Sequence, residues 1–149
     1  MDQKTEKTYN NDNKNVHLQL LQEPIGRMST ISSIFKGFSA AILAGLASAS
    51  IADINIWALM IGLLPLFSFL VLDIYYLRIE KSLRYRYNMI AKDKAKVDFM
   101  INPKLNKKEK KEAKARVMDC LKSPSIYLFY GPVLLCAIAL FVLKICGVF

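Results

Sequence analysis

Histidine is almost missing from this chain: His17 is the only one in 149 residues. No HExxH pair, no Ser/His/Asp set and no glycine-rich loop followed by lysine is present. Zinc hydrolysis, serine-type hydrolysis and P-loop nucleotide chemistry therefore lack their residues. The three cysteines, Cys120, Cys136 and Cys146, show no CxxC spacing and have no histidine nearby. That spacing predicts neither a disulfide nor a metal site. Charge is missing from two long stretches. Residues 37–77 hold only Asp53 and Asp73, and residues 123–149 hold only Lys144. A paired-aspartate intramembrane protease needs two aspartates at one depth. Asp53 and Asp73 stand at opposite ends of one apolar run, so that class is excluded too. The chain is predicted to be no enzyme and to need no cofactor.

What is present is segregation. The composition is 54% hydrophobic, yet the net charge is +9. The segment 78–122 carries 15 Lys/Arg against 6 Asp/Glu, while residues 1–36 nearly cancel at 5 against 4. Separation of apolar and charged stretches predicts membrane spans joined by solvated segments. The expected fold is an all-α membrane protein. It has three transmembrane helices, a hairpin plus a C-terminal span, with a basic cytoplasmic helical segment between the second and third.

Residues 1–14 are polar and asparagine-rich, which predicts a disordered N-terminus. Residues 15–101 are expected to form the hairpin with a long helical extension. Val16 to Leu21 fits neither the helical nor the strand period cleanly. Pro24 suits the first turn of a new helix. The uncharged core Gly37 to Ala52 is 16 residues, roughly 24 Å as a helix. It crosses the bilayer only if Thr30–Ser33 also enters and Lys36 is paired or snorkels. Ala47-Ser48-Ala49 is like a signal-peptidase site, but the stretch before the apolar run is too long and too acidic for a leader.

Small residues line one face of this first span: Gly37, Ala41, Gly45, Ala49, with Ala40, Ala44, Ser48, Ala52 beside them. In lipid such a face lets backbones approach closely, either within the hairpin or between subunits. Asp53-Ile54-Asn55 is the expected turn. The second span runs from Ile56 to about Leu77, with Trp57 at one interface and Tyr75 and Tyr76 at the other. It continues without a turn signal into a charged helix that Asn102-Pro103 ends. Asn106 and Glu109 have capping-box spacing, opening a basic helix within 102–122. Ser123-Pro124 starts the third span in 123–149, of which 123–143 is uncharged.

The positive-inside rule places 78–122 and the N-terminus in the cytoplasm and the C-terminus outside a bacterial inner membrane. A hairpin turning near residues 54–55 sets Lys36 level with Asp73, and Arg27 level with Glu80. Charges at that depth are expected to neutralise one another, as a register clamp or as a charged gate. Glu80 and Arg84 also stand at i,i+4. The basic run predicts anionic partners, whether lipid, nucleotide or nucleic acid. Its candidates are Arg84, Arg86, Lys107, Lys108, Lys110 and Lys111. Arg84-Tyr85-Arg86-Tyr87 could stack on a base.

Two segments carry a resemblance: HLQLLQEPIGRMSTISSIFK at 17–36 and LDIYYLRIEKSLRYRYN at 72–88. They resemble a group of small bacterial inner-membrane proteins in which RM, a serine and a lysine precede the first span. In that group an LDxYYLxxE-type segment closes the second. The matching positions are Arg27, Met28, Ser32, Lys36, Asp73, Tyr75, Tyr76, Glu80, Arg84 and Tyr87. Such hairpins look like the membrane modules of anti-phage abortive-infection effectors, some of which are ion channels. The resemblance covers residues 17–90 and leaves out the basic helix and the third span. It implies an effector that depolarises the membrane, and carries over no gating input. Three spans cannot enclose a pore alone, so a homo-oligomer is expected, with a cytoplasmic sensor protein or an anionic nucleotide or nucleic acid as the partner of the basic region. A non-conducting anchor or adaptor, and a phage exclusion or holin-like protein, are the alternatives.

Overall fold

The computed structural model describes residues 3–51, 56–94 and 97–146. Every regular element among them is α-helical. α1 spans Gln3–Ile51 and α2 spans Ile56–Ala91. α3 is Lys107–Glu112, α4 is Val117–Leu121 and α5 is Pro124–Ile145. α1, α2 and α5 each contain a stretch long and apolar enough to cross a membrane. Fewer than one residue in five of each such stretch is buried within the chain. An apolar surface this bare needs lipid or other helices to cover it. The expected turn at Asp53-Ile54-Asn55 lies outside the described residues.

Contacts divide the chain into two units. The first holds residues up to Thr30 and Tyr76–Arg116. Its core is Leu21, Leu83 and Ile90, with Leu18, Ile25, Ile79, Tyr87 and Val97 packed against them. His17 is fully buried beside this core, while Val16 and Leu20 face out. The buried face of α1 here is thus His17, Leu18, Leu21 and Ile25, at the helical spacing. The apolar residues of Val16–Leu21 show no clean period because His17 belongs to the inward face.

The second unit holds Ile31–Tyr75 and the chain from Val117 onward. Here α1 and α2 are antiparallel. Ser32 meets Asp73, Phe35 stacks on Phe69 at 5.7 Å, and Gly62 lies against Leu46. A Cβ on Gly62 would overlap the Leu46 side chain, so the two helices come close here because the residue is glycine. α5 opens at Ser123, whose carbonyl accepts from the Ile126 and Tyr127 amides, with Pro124 at the first helical position.

Four boundaries differ from expectation. α1 begins at Gln3 where composition predicts disorder in 1–14. Extending an existing helix needs no new nucleus, and Lys14 is tied to Asp93 at 2.7 Å. Pro24 lies inside α1 and starts no new helix. Its ring removes one amide donor, yet the helix is carried on both sides by the buried Leu21 and the half-buried Ile25.

α2 stops at Ala91, well before Asn102-Pro103. The Lys94 amide donates to Met89 O at 2.8 Å and the Asp93 amide to Ile90 O at 3.0 Å, with Asp93 at φ 55°. This is a Schellman ending with aspartate in the left-handed position. Likewise 102–122 is not one helix. α3 ends in the same way: the Ala115 amide donates to Lys110 O, the Lys114 amide to Lys111 O, and Lys114 has φ 50°. No glycine lies between Gly62 and Gly131, so neither ending carries the usual residue. The expected cap is present. The Glu109 carboxylate accepts the Asn106 amide at 2.7 Å.

Candidate functional site

α1 presents Ser32, Phe35, Lys36 and Ser39 along one face, at i, i+3, i+4 and i+7. Asp73 of α2 sits opposite them and is fully buried. Ser32 Oγ donates to Asp73 Oδ1 at 2.5 Å. Lys36 Nζ stands 3.4 Å from Asp73 Oδ2. The same ammonium donates to Ser32 Oγ at 2.9 Å and to Ser125 Oγ of α5 at 2.8 Å. An isolated charge at this depth would be expensive, and here the carboxylate has a cation and a hydroxyl. The level expected for Lys36 and Asp73 is therefore a contact.

The third apolar helix contributes as well. Tyr130 of α5 is 3% exposed, and its hydroxyl has no hydrogen-bond partner. It faces Asp73 and the buried Ser39. Ser39 Oγ donates to Phe35 O at 2.8 Å. Ser125 and Tyr130 carry no pattern signal in the sequence. A serine beside the α5 cap and a tyrosine in an apolar run look like ordinary span-end residues.

Arg27 and Glu80 do not form the second pair. Glu80 Oε1 accepts from Arg84 Nε at 2.7 Å, and Arg27 is exposed. Arg84 lies one turn along the same helix and reaches Glu80 without bridging two elements.

The small-residue face of α1 is open. Gly37, Ala40, Ala41, Ala44, Gly45 and Ser48 are exposed, and Ala49 is half-buried; Ala52 lies outside the described residues. A Cβ built on Gly37 or Gly45 would meet nothing within 4 Å. The close approach within the hairpin is made by Gly62 instead.

The basic–aromatic run is engaged within its own unit. Arg84 holds Glu80 and Tyr85 donates to Glu112 at 2.8 Å. Arg86 holds Asp98 at 2.5 Å, and Tyr87 accepts from Gln22 at 3.3 Å. The Glu112 carboxylate beside Tyr85 pushes that hydroxyl above its ordinary pKa. Each of the four side chains thus has a polar group committed to a partner within the unit. Lys107, Lys108 and Lys111 are exposed on α3, and Lys110 is half-buried.

His17 was the residue without company in the sequence. Its ring packs on Phe99 at 5.5 Å, and its Nε2 lies 3.8 Å from Asp98 Oδ1. The Met100 amide, with Arg86 and His17, holds the Asp98 carboxyl below the usual carboxylate range.

Set against known proteins, the chain matches no family model, no curated protein and no solved structure.

Proposed function

We propose that the chain is an oligomeric effector of the bacterial inner membrane. It opens an ion-conducting path, or otherwise depolarises the membrane, when triggered through its basic 78–122 region. The observation that carries this reading is Asp73, a fully buried carboxylate among membrane-spanning helices, paired with the ammonium of Lys36. Ionisable residues in such segments mark ion pathways and gates. Three helices cannot enclose a pore alone, so several copies are required. The open face at Gly37, Ala41 and Gly45 suits close helix approach between copies. Arg27 and Glu80 belong to the gate only as flanking charges, since they do not pair. The hairpin's resemblance to abortive-infection effectors supports a role in anti-phage defence. The charge excess at 78–122 supports a cytoplasmic side for that segment and the N-terminus.

The test is membrane potential, followed by dye in cells after induction of the native chain and of Asp73→Ala at matched level. Depolarisation by the native chain, altered in the variant, is expected. Identical behaviour of the two would remove Asp73 from the gate.

A second reading is a non-conducting anchor, favoured by the exposed Lys107, Lys108 and Lys111. It predicts salt-sensitive capture of an anionic partner, lost on triple substitution to glutamine, with no change in permeability.

A further inference from the structure

The surroundings of Lys36 are those of a cation site already occupied by an ammonium. Nζ touches Ser32 Oγ and Ser125 Oγ at 2.9 and 2.8 Å, while Asp73 Oδ2 lies at 3.4 Å. The carboxylate oxygen that attracts the ammonium most strongly is thus the one it reaches least well. Asp73 Oδ2 and the Tyr130 hydroxyl are both buried, and neither has a hydrogen bond of full geometry, although the hydroxyl lies towards Asp73 and Ser39. Buried polar oxygens nearly always have a partner. Tyr130 faces Asp73 and Ser39, and Ser39 spends its proton on Phe35 O, so its oxygen keeps lone pairs for another donor or a cation. Oxygens from three helices therefore surround the ammonium, Ser32 of α1, Asp73 of α2 and Ser125 of α5, and the Tyr130 hydroxyl faces the same carboxylate.

We propose that this cluster is a binding site for a monovalent metal cation, and that the Lys36 ammonium is a tethered competitor for it. The charge sets the valence. One carboxylate with neutral hydroxyls balances one positive charge, whereas divalent sites gather several carboxylates. Among the described residues no group of three His, Cys, Asp or Glu comes together. An all-oxygen donor set suits hard cations.

Lys36 is suited to leave. Lysine is a compact point charge on a flexible stem. Its contact with Ser125 lies on the exposed side of the cluster. That contact is also beside the first turn of α5, where the helix dipole opposes a cation. Its hold rests on Asp73 and Ser32. When it withdraws, a buried carboxylate is left without a counter-charge, and a metal ion entering from the Ser125 side restores neutrality. The regulatory meaning of this exchange, lysine in for closed and metal in for open, rests on the conducting role proposed above. The binding itself does not.

The experiment uses the full chain in nanodiscs of neutral lipid. Thermal unfolding is followed as sodium or potassium chloride replaces N-methylglucamine chloride at constant ionic strength. The native chain and Lys36→Arg should not distinguish the salts. Lys36→Met should show a saturable upward shift of several degrees with sodium or potassium, absent with N-methylglucamine. Lys36→Met/Asp73→Asn should lose the shift, and Lys36→Met/Tyr130→Phe should need about tenfold more cation. Equal unfolding of Lys36→Met in all salts overturns the proposal. If Lys36→Met is not recovered folded in N-methylglucamine chloride, its recovery in sodium or potassium is the same readout, and equal failure in every salt overturns the proposal. Ion flux through the native chain is measured separately. Flux without cation binding by Lys36→Met sinks the site and spares the conducting role. Binding without flux does the reverse.

Discussion

Lys36 and Ser32, one turn apart on α1, grip the same carboxylate by different oxygens. Ser32 takes Oδ1 of Asp73 and Lys36 faces Oδ2, while the two grippers are themselves joined at 2.9 Å. The serine therefore orders both charges. Ser32→Ala should cost about 1–3 kcal/mol, because a buried acceptor loses its donor. Ser32→Thr, which keeps the hydroxyl, should recover most of it. Unfolding in nanodiscs measures both.

Removing the acid should cost more than removing the pair. Asp73→Ala leaves an ammonium among apolar helices, at about 3–5 kcal/mol by the precedent of broken buried pairs. Asp73→Ala/Lys36→Met should be closer to the native stability than Asp73→Ala alone. A double variant no more stable than the single one would show that the two charges are not coupled.

The glycines of the two helices should respond in opposite ways. Gly62 abuts Leu46, so Gly62→Leu overpacks the hairpin by about 1–3 kcal/mol, and Leu46→Ala should relieve it. Gly45 has open space. Gly45→Leu should leave the monomer's unfolding almost unchanged but lower the crosslinked oligomer. Unchanged crosslinking would take the α1 face out of the proposed contact between copies.

Acid should loosen the segment after α2 before it affects α5. The Asp98 carboxyl is held low by the Met100 amide, Arg86 and His17. A depressed carboxyl contributes stability above its unfolded pKa, near 3.9, and loses it as pH falls through its folded value. Hydrogen exchange of residues 97–101, corrected for intrinsic rate, should rise below about pH 4. Asp98→Asn should remove that dependence.

Tyr85 offers a local optical check. Its hydroxyl is raised by the Glu112 carboxylate that accepts its proton. Glu112→Gln should bring it down towards about 10, seen as earlier phenolate absorbance in an alkaline titration against a Tyr85→Phe reference.

The levels of Lys36 and Asp73 were legible because an antiparallel hairpin in a bilayer links residue number to depth. α5 was legible because its apolar run, its Ser-Pro start and Lys144 mark both ends. The ends of α2 and α3 were not. Their left-handed residues are Asp93 and Lys114, and neither declares itself as glycine would. The pairing of Glu80 was ambiguous between depth and helix neighbour, and the nearer partner prevailed. Tyr130 escaped because its role depends on which face of α5 turns towards Asp73. No residue within that almost uniformly apolar helix reveals the face.

Arg84, Tyr85, Arg86 and Tyr87 already have bonds within their unit. An anion arriving there competes with those partners for part of each cation's donors. One that takes the Arg86 nitrogen paired with Asp98 displaces that carboxylate, which still has the Met100 amide and the neighbouring His17. Recognition is then an exchange of partners, and the apparent affinity is reduced by the fraction of time the native bond is open. A weak anion would be turned away, while a multivalent one that engages several cations together would be admitted. For an anionic partner of the kind proposed, affinity in this region would therefore rise steeply with ligand charge, a threshold response rather than a graded one.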